Sequence, residues 1–189
     1  MQRSTKRRRD RGITLVEVMV TVAIISSTLM GMAALQVVAL RSTNSSVYRT
    51  QAALLADDIA DRMRGNPEGV RTGAFAAIDS RTFNCAVAPA VSCAPWHQTS
   101  TSMPGESCSA GELAAFDLSE WLCGDLHGAA TARGGVLNIL PGARAEVVCD
   151  TTPCAADSPH TITLEWSVPN PERHSEPAEI QHLALRIQP

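Results

Sequence analysis

The sequence predicts an α+β fold, in which a long N-terminal α-helix packs on a C-terminal antiparallel β-sheet and disulfides staple the connecting loops. Three observations support this prediction. A long and almost entirely apolar run covers residues 13–40, all six cysteines follow it, and the last third of the chain alternates apolar with polar residues. Apolar runs of about 20 residues form membrane-spanning helices, whereas alternation with a period of two is typical of half-buried strands.

Charge is distributed unevenly along the chain. Residues 1–12 hold six Lys or Arg residues and one Asp, although the whole chain of 189 residues has a formal net charge of −3. The acidic remainder argues against nucleic acid as a partner, because nucleic-acid binding requires surface that neutralises phosphates. A basic cluster directly before an apolar run indicates membrane topology instead, since Lys and Arg stay on the cytoplasmic side. We therefore expect a cytoplasmic N-terminus and an exported body.

The apolar run of residues 13–40 contains a single charged residue, Glu17. The run is too long for a cleavable secretory signal, whose apolar region has about 7–15 residues. A plain membrane anchor fits its length and flanks but does not explain the carboxylate. An ionised side chain at the middle of a membrane costs about 2.5–3.5 kcal/mol, so such residues are rare and usually functional.

The sequence GITLVE, from Gly12 to Glu17, resembles the processing site of type IV prepilins. In that family a short basic leader ends in Gly, and an apolar residue, Thr-Leu and a Glu at the fifth mature position follow. The resemblance implies that prepilin peptidase cuts between Gly12 and Ile13 and that Ile13 is then N-methylated. The family more often has Phe in place of Ile13, a departure that bears on methylation more than on cleavage.

The resemblance also implies an assembly role for Glu17, with Thr14 beside it. In the family this carboxylate meets the N-terminal amine of a neighbouring subunit as the helices bundle. An α-amine, with a pKa of about 7.7–8.0, is cationic at neutral pH. Pairing would relieve two charges that are otherwise isolated in apolar surroundings, and the first turn of a helix favours an anion.

The helix is expected to continue through residues 41–66 as an amphipathic segment. Asp58 and Arg62 are spaced to form an ion pair one turn apart. The sequence Gly65-Asn66-Pro67 is predicted to end the helix. The apolar stripe that would face the rest of the protein consists of Val47, Leu55, Ile59 and Met63, with Leu54 beside them.

Residues 67–189 are expected to form a periplasmic or extracellular globular head. It would begin with a loop over 67–108, rich in Gly, Pro, Ser and Thr. A short helix over 110–127 follows, opened by a capping box from Ser109 to Glu112. Strands are predicted over 136–189, within Val136–Leu140, Ala143–Cys149, His160–Val168 and Leu183–Ile187, with one apolar face that suits a sheet covered on one side.

An even number of cysteines in an exported domain predicts disulfides. Cys149 and Cys154 are spaced to bridge a tight loop between two strands. Six cysteines allow 15 full pairings, and the sequence leaves open how the others pair, namely Cys85, Cys93, Cys108 and Cys123.

Patterns typical of an enzyme or of a cofactor site are absent from the sequence. It contains no nucleophile elbow, no phosphate-binding loop, no dinucleotide fingerprint and no zinc-protease motif. Its five His residues are scattered. Cys149 and Cys154 lack a second matching Cys pair, so a disulfide is favoured over zinc. We therefore predict no enzymatic activity, no cofactor and no metal.

Beyond the leader, the sequence resembles the type IV pilus modification proteins, which are PilV-like minor pilins. The resemblance is carried by segments such as Ala33–Gln36, Asp61–Pro67, Phe116–Leu118 with Trp121, and Leu140–Gly142. It implies a subunit of the inner membrane that enters a pilus at the cell surface, with prepilin peptidase and other minor and major pilins as partners. Two alternatives remain open: a minor pseudopilin of type II secretion, and a single-pass anchored binding or adhesin module that never polymerises.

Overall fold

The computed structural model describes residues 12–98, 101–124, 134–155, 157–168 and 178–189. The predicted leader, residues 1–12, therefore lies outside the described residues except for Gly12. The chain divides into two compact units, with the boundary between Asn44 and Ser45. In chain order the elements are α1 (Leu15–Gly65), α2 (Pro67–Arg71), β1 (Ala77–Asp79), β2 (Trp96–Gln98), β3 (Thr101–Met103), α3 (Ala110–Cys123), α4 (Val136–Ile139), β4 (Arg144–Cys149), β5 (His160–Val168) and β6 (Glu179–Ile187).

Four antiparallel strands form the main sheet, in the order β1-β4-β5-β6. β5 pairs along its whole length with β6, from His160 opposite Ile187 to Val168 opposite Glu179. Side chains of β5 alternate between buried and half-buried positions, as the period of two predicted. The α+β prediction, a long N-terminal helix with a C-terminal antiparallel sheet and stapled loops, is thus confirmed.

The second half of α1 contributes a stripe of mostly small side chains to the core. It consists of Ala52, Ala56, Ile59, Ala60 and Met63, all at most 1% exposed. The predicted stripe was right for Ile59 and Met63, and Leu55 packs against the core while partly buried. It was wrong for Val47, which is 45% exposed, and Leu54 beside the stripe is 64% exposed. Small side chains allow a helix to approach its neighbours closely at core density. The buried face therefore combines three Ala residues with Ile59 and Met63, whereas Val47 and Leu54 point outward.

Helix α3 packs into the same core through its apolar face. Ala114, Leu118, Trp121 and Leu122 are buried, as predicted. The Trp121 indole N–H donates a hydrogen bond of 2.8 Å to the Leu55 carbonyl of α1. The capping box at its start is also confirmed, because Ser109 and Glu112 bond each other's backbone N–H groups. The helix ends at Cys123, before Gly124 with φ of 82°; the predicted end at 127 lies outside the described residues.

Two stretches differ from the sequence prediction. Residues 136–140 were predicted as a strand, but Val136–Ile139 form the helical turn α4. The Asn138 amide donates to the carbonyls of Cys123 (2.7 Å) and Gly134 (2.9 Å). The bond to Gly134, four residues earlier, fits a helical turn and not an extended strand. Residues 67–108 were predicted as a loop, but they contain α2, β1, β2 and β3. These elements are three to five residues long, too short to produce a periodic signal.

Three disulfides hold the second unit together. Cys85–Cys123 ties the segment after β1 to the end of α3, and Cys93–Cys108 closes the segment that carries β2 and β3. Cys149–Cys154 closes a short loop between β4 and β5, which is the pairing that the sequence favoured. No cysteine is left unpaired among those described.

Candidate functional site in the N-terminal segment

The segment that carries the predicted processing site lies immediately before α1. Gly12, Ile13 and Thr14 are not helical, and all three are exposed. Ile13 is 76% exposed, and no atom of the described residues lies within 4 Å of the position that a Cβ would take at Gly12. Exposed, non-helical peptide is the form in which proteases cut chains most readily. The geometry is therefore compatible with cleavage between Gly12 and Ile13, which stays a prediction.

Thr14 caps the start of the long helix. Its hydroxyl oxygen accepts a hydrogen bond from the Glu17 backbone N–H at 3.3 Å, and its carbonyl accepts from the Val18 N–H at 3.3 Å. This is the half of a capping box that Thr-x-x-Glu spacing produces. The box at Ser109 was predicted from the sequence, but the one at Thr14 was not, although its Thr-x-x-Glu spacing is the same kind of signal.

Glu17 lies in the first turn of α1, where the helix dipole favours a carboxylate. Its neighbours are exposed apolar residues: Leu15 is 76% exposed and Val16 is 67% exposed. In the portion of the chain that the structure covers, the Glu17 carboxylate has no cationic partner. The helix dipole thus favours a carboxylate at this position, although no cation of the described residues pairs with it.

The helix that follows presents apolar side chains on all sides. Every residue from 12 to 40 is exposed. Among the described residues, α1 is the one helix long and apolar enough to cross a membrane. The large apolar side chains that it exposes are Ile13, Leu15, Val16, Val18, Met19, Val20, Val22, Ile24, Ile25, Leu29, Met30, Met32, Leu35, Val37, Val38 and Leu40.

Three neighbouring hydroxyl side chains in this run bond back to their own helix. The hydroxyls of Ser26, Ser27 and Thr28 donate to the carbonyls of Val22 (2.7 Å), Ile24 (2.8 Å) and Ile25 (2.8 Å), respectively. Such bonds satisfy hydroxyl groups without water. The run can therefore enter lipid or a helix bundle with its hydroxyl donors already paired.

The six predicted disulfide cysteines all lie in the second unit and take no part in this N-terminal segment. One grouping there was missed by the sequence analysis. The sulfur atoms of Cys149 and Cys154 and a ring nitrogen of His160 all lie within 4.8 Å of one another. A signal was available, because His160 occupies an inward position in the alternation of β5.

Two protein-family models match the chain. A model of the prokaryotic N-terminal methylation motif covers residues 7–33. A model described as type IV pilin Tt1218 covers residues 34–119. No curated protein and no solved structure matches the chain. The first family match contains Gly12 to Glu17, and the second contains the buried stripe of α1 and most of α3.

Proposed function

Since the chain is a type IV pilin with a prepilin-type N-terminal methylation motif, we propose that it is a minor pilin that prepilin peptidase processes and that takes part in pilus assembly. The observation that carries this proposal is the position of the motif. Gly12 to Glu17 lie at the exposed start of a helix whose first half is apolar on every side. Pilins are structural subunits, which agrees with the predicted lack of enzymatic activity.

In the proposed first step, the peptidase cuts after Gly12 and methylates the new N-terminus at Ile13. The leader's basic residues are removed, and a cationic amine takes their place four residues before Glu17. That amine and the Glu17 carboxylate of a neighbouring subunit are complementary charges within a helix bundle. Pairing between subunits would compensate both charges in apolar surroundings.

Before assembly, the apolar run would cross the inner membrane, with the N-terminus in the cytoplasm and the head in the periplasm. The basic leader supports this orientation. A helix satisfies its own backbone groups, and the hydroxyls in this run are paired as well, so lipid is a suitable environment. On assembly the same apolar surface would exchange lipid for the helices of other minor and major pilins.

Membership of the PilV-like minor pilins is the finer part of the proposal. It rests on the resemblance of short sequence segments, which lie at the end of α1 and in α3. Asp61–Pro67 contains the C-terminal end of α1 and the N-cap of α2, and Phe116–Leu118 is buried in α3. A minor pilin of this kind would prime assembly or sit at the filament tip.

Mass spectrometry of the protein isolated from cells tests processing directly. We expect a mature chain that begins with N-methylated Ile13, and a Gly12→Val variant that remains uncut. Gly31→Ala is the matched control, because Gly31 also has open space where a Cβ would lie and should be processed normally. A native chain that keeps its leader would overturn the proposal in favour of a simple membrane anchor.

Sheared pili test the assembly role of Glu17. Glu17→Gln keeps the shape and removes the charge, so we expect insertion and cleavage as in the wild type but poor incorporation into filaments. Asp57→Asn is the matched control, because Asp57 is an exposed carboxylate on the same helix. Equal incorporation of both variants would remove Glu17 from the mechanism.

Deletion of the protein distinguishes pilus assembly from secretion. We expect loss of surface pili and of twitching motility, with secretion of exported enzymes unchanged. The opposite pattern would identify a type II secretion pseudopilin.

A further inference from the structure

His160 is the most deeply buried ionisable side chain among the described residues, with an exposed fraction of 0%. Its ring lies between two partners. Nδ1 is 3.0 Å from the Ser158 carbonyl oxygen, and Nε2 is 3.6 Å from the Cys154 sulfur. Because a carbonyl oxygen can only accept a hydrogen bond, the ring proton belongs on Nδ1.

With the proton on Nδ1, the Nε2 lone pair faces the Cys154 sulfur, which is not a hydrogen-bond donor. A neutral imidazole carries one proton, and Nδ1 uses it. Cys154 is bonded to Cys149, and a disulfide sulfur has no proton to donate. Within the described residues, the fully buried Nε2 acceptor therefore has no proton donor. A buried acceptor without a donor costs free energy.

A thiophilic metal ion would complete this arrangement. We propose that, when the Cys149–Cys154 disulfide is reduced, the two sulfurs and His160 Nε2 form a binding site for Zn²⁺ or a similar thiophilic divalent cation. The disulfide and the metal complex are then alternative states of the same three side chains. A disulfide oxidant that accepts two electrons from the two thiolates, and two protons from solvent, becomes a dithiol, closes the Cys149–Cys154 disulfide and releases the metal.

The geometry fits tetrahedral zinc. With Zn–S bonds of about 2.3 Å and Zn–N bonds of about 2.0–2.1 Å, a tetrahedral site separates sulfur from nitrogen by about 3.6 Å. The Cys154 sulfur and His160 Nε2 are already 3.6 Å apart. The ligand atoms of all three residues lie within 4.8 Å of one another. Once the S–S bond is broken, only the Cys side chains need to rotate, and solvent can take the fourth position.

The hydrogen bond at Nδ1 supplies the support that metal-binding imidazoles usually have. In protein metal sites the second ring nitrogen of a ligating His commonly donates to a backbone carbonyl or a carboxylate, which fixes the tautomer and the ring orientation. The Ser158 carbonyl does this for His160. The imidazole is thus already oriented for metal coordination in the metal-free protein.

The chemical balance is simple. A dithiol reductant gives two electrons and two protons to the disulfide and becomes a disulfide itself. Cys149 and Cys154 become thiols, and binding of Zn²⁺ displaces their two protons into solvent. The metal is neither oxidised nor reduced. Metal affinity should therefore require prior reduction and should rise with pH.

Cobalt titration of the full chain in detergent micelles tests the proposal. Under anaerobic conditions and after reduction by a phosphine, Co²⁺ should produce a thiolate-to-cobalt absorption band that saturates at one ion per chain, and Zn²⁺ should abolish it. The oxidised chain should show no band. Absence of the band in the reduced chain, or its presence in the oxidised chain, would overturn the proposal.

Two His variants identify the nitrogen ligand. His160→Gln should weaken Co²⁺ binding by at least about 100-fold, beyond the 10–100-fold effect of losing an outer-shell partner. His182→Gln is the matched control, because His182 is exposed on β6, and it should bind like the wild type. Equal affinity of the two variants would show that the cysteines bind metal without His160.

A measurement on the wild-type chain covers the case in which His160→Gln does not fold. Zn²⁺ should slow alkylation of Cys149 and Cys154 in the reduced chain, as read by peptide mapping, and leave Cys93 and Cys108 unaffected. Equal protection of both pairs would mean unspecific thiolate binding, and no protection would mean no site.

Discussion

The guanidinium of Arg62 on α1 and the carboxylate of Asp117 on α3 lie 2.9 Å apart, although 55 positions separate them in the sequence. The same guanidinium contacts Asp58 at 3.2 Å and Glu120 at 3.5 Å. Burial raises the pKa of Asp117 above its ordinary value, and Arg62 offsets only part of that rise. Arg62 is therefore what makes an ionised Asp117 tolerable at this helix contact.

Arg62→Gln should destabilise the second unit. It leaves the mostly buried Asp117 carboxylate without its cation. Breaking a fully buried pair costs about 3–5 kcal/mol, and the partial exposure of Arg62 reduces this to about 1–2 kcal/mol. Thermal unfolding at neutral pH, followed by near-ultraviolet circular dichroism, measures the loss. Arg64→Gln, which removes an exposed pair with Asp61, should change stability by less than about 0.5 kcal/mol.

Gly69→Ala should be destabilising for a different reason. Asn66 is buried, its side-chain oxygen accepts from the Gly69 N–H at 3.0 Å, and its amide donates to the Ala110 carbonyl at 2.7 Å. A Cβ at Gly69 would lie 2.6 Å from the Asn66 amide nitrogen. The displaced side chain would lose both bonds, at about 1–3 kcal/mol.

Gly111→Ala is the matched control for that substitution. Gly111 lies in the first turn of α3 and has open space at its Cβ position. Alanine should therefore stabilise the helix by up to about 1 kcal/mol. The two midpoints of chemical unfolding should move in opposite directions. A shift of the same sign in both would contradict the role assigned to Asn66.

Contacts and patterns that involve residues close together in the chain were predictable from the sequence. The Asp58–Arg62 pair, the Ser109–Glu112 capping box and the alternation of β5 all depend on spacings of two to four residues. Contacts between distant segments were not. Arg62 with Asp117, and Asn66 with Ala110, connect positions 55 and 44 residues apart, and no local pattern encodes such partners.

The same distinction applies to the two candidate sites. The N-terminal site is a continuous peptide, so the order of its residues was enough to predict it. The grouping of His160 with Cys149 and Cys154 depends on how the loop after β4 folds back onto the start of β5. In the sequence the two cysteines lack an evident third ligand, and for this reason no metal was predicted.

Asp150 should make the second unit lose stability in acid. Its carboxylate accepts from the Thr161 hydroxyl and from the Arg186 Nε, both at 2.7 Å. The Thr161 hydrogen bond is the main cause that lowers the pKa of Asp150, and Arg186 adds to it. An acid whose pKa is lowered on folding stabilises the protein above its ordinary pKa of about 3.9, and that stabilisation is lost as the pH falls.

The stability of Asp150→Asn should therefore differ most from that of the wild type at pH 6. This difference in stability should shrink as the pH falls toward 3. Unfolding midpoints in urea across this range give the comparison. Asp157→Asn serves as the control, because Asp157 is an exposed carboxylate whose side chain has no bond among the described contacts. The difference in unfolding midpoint between Asp157→Asn and the wild type should not change with pH. If the difference between Asp150→Asn and the wild type did not change with pH either, the stabilising role of Asp150 would be contradicted.

Thr14 allows the helix cap to be separated from the charge of Glu17. The hydroxyl of Thr14 caps the Glu17 N–H whatever side chain residue 17 carries. Thr14→Val removes the cap and keeps the carboxylate, whereas Glu17→Gln removes the carboxylate and keeps the cap. Loss of an N-cap costs about 1 kcal/mol and frays one turn of a helix that is 51 residues long.

We therefore expect Thr14→Val to lower incorporation into sheared pili by no more than about five-fold, the factor to which 1 kcal/mol corresponds, and Thr14→Ser to restore it. Glu17→Gln should lower incorporation further, because it leaves the amine of a neighbouring subunit without a counter-charge inside the bundle. If Thr14→Val and Glu17→Gln were equally defective, the acid would matter only through the start of the helix. The intersubunit pair would then have to be abandoned, even though the cleavage site remained.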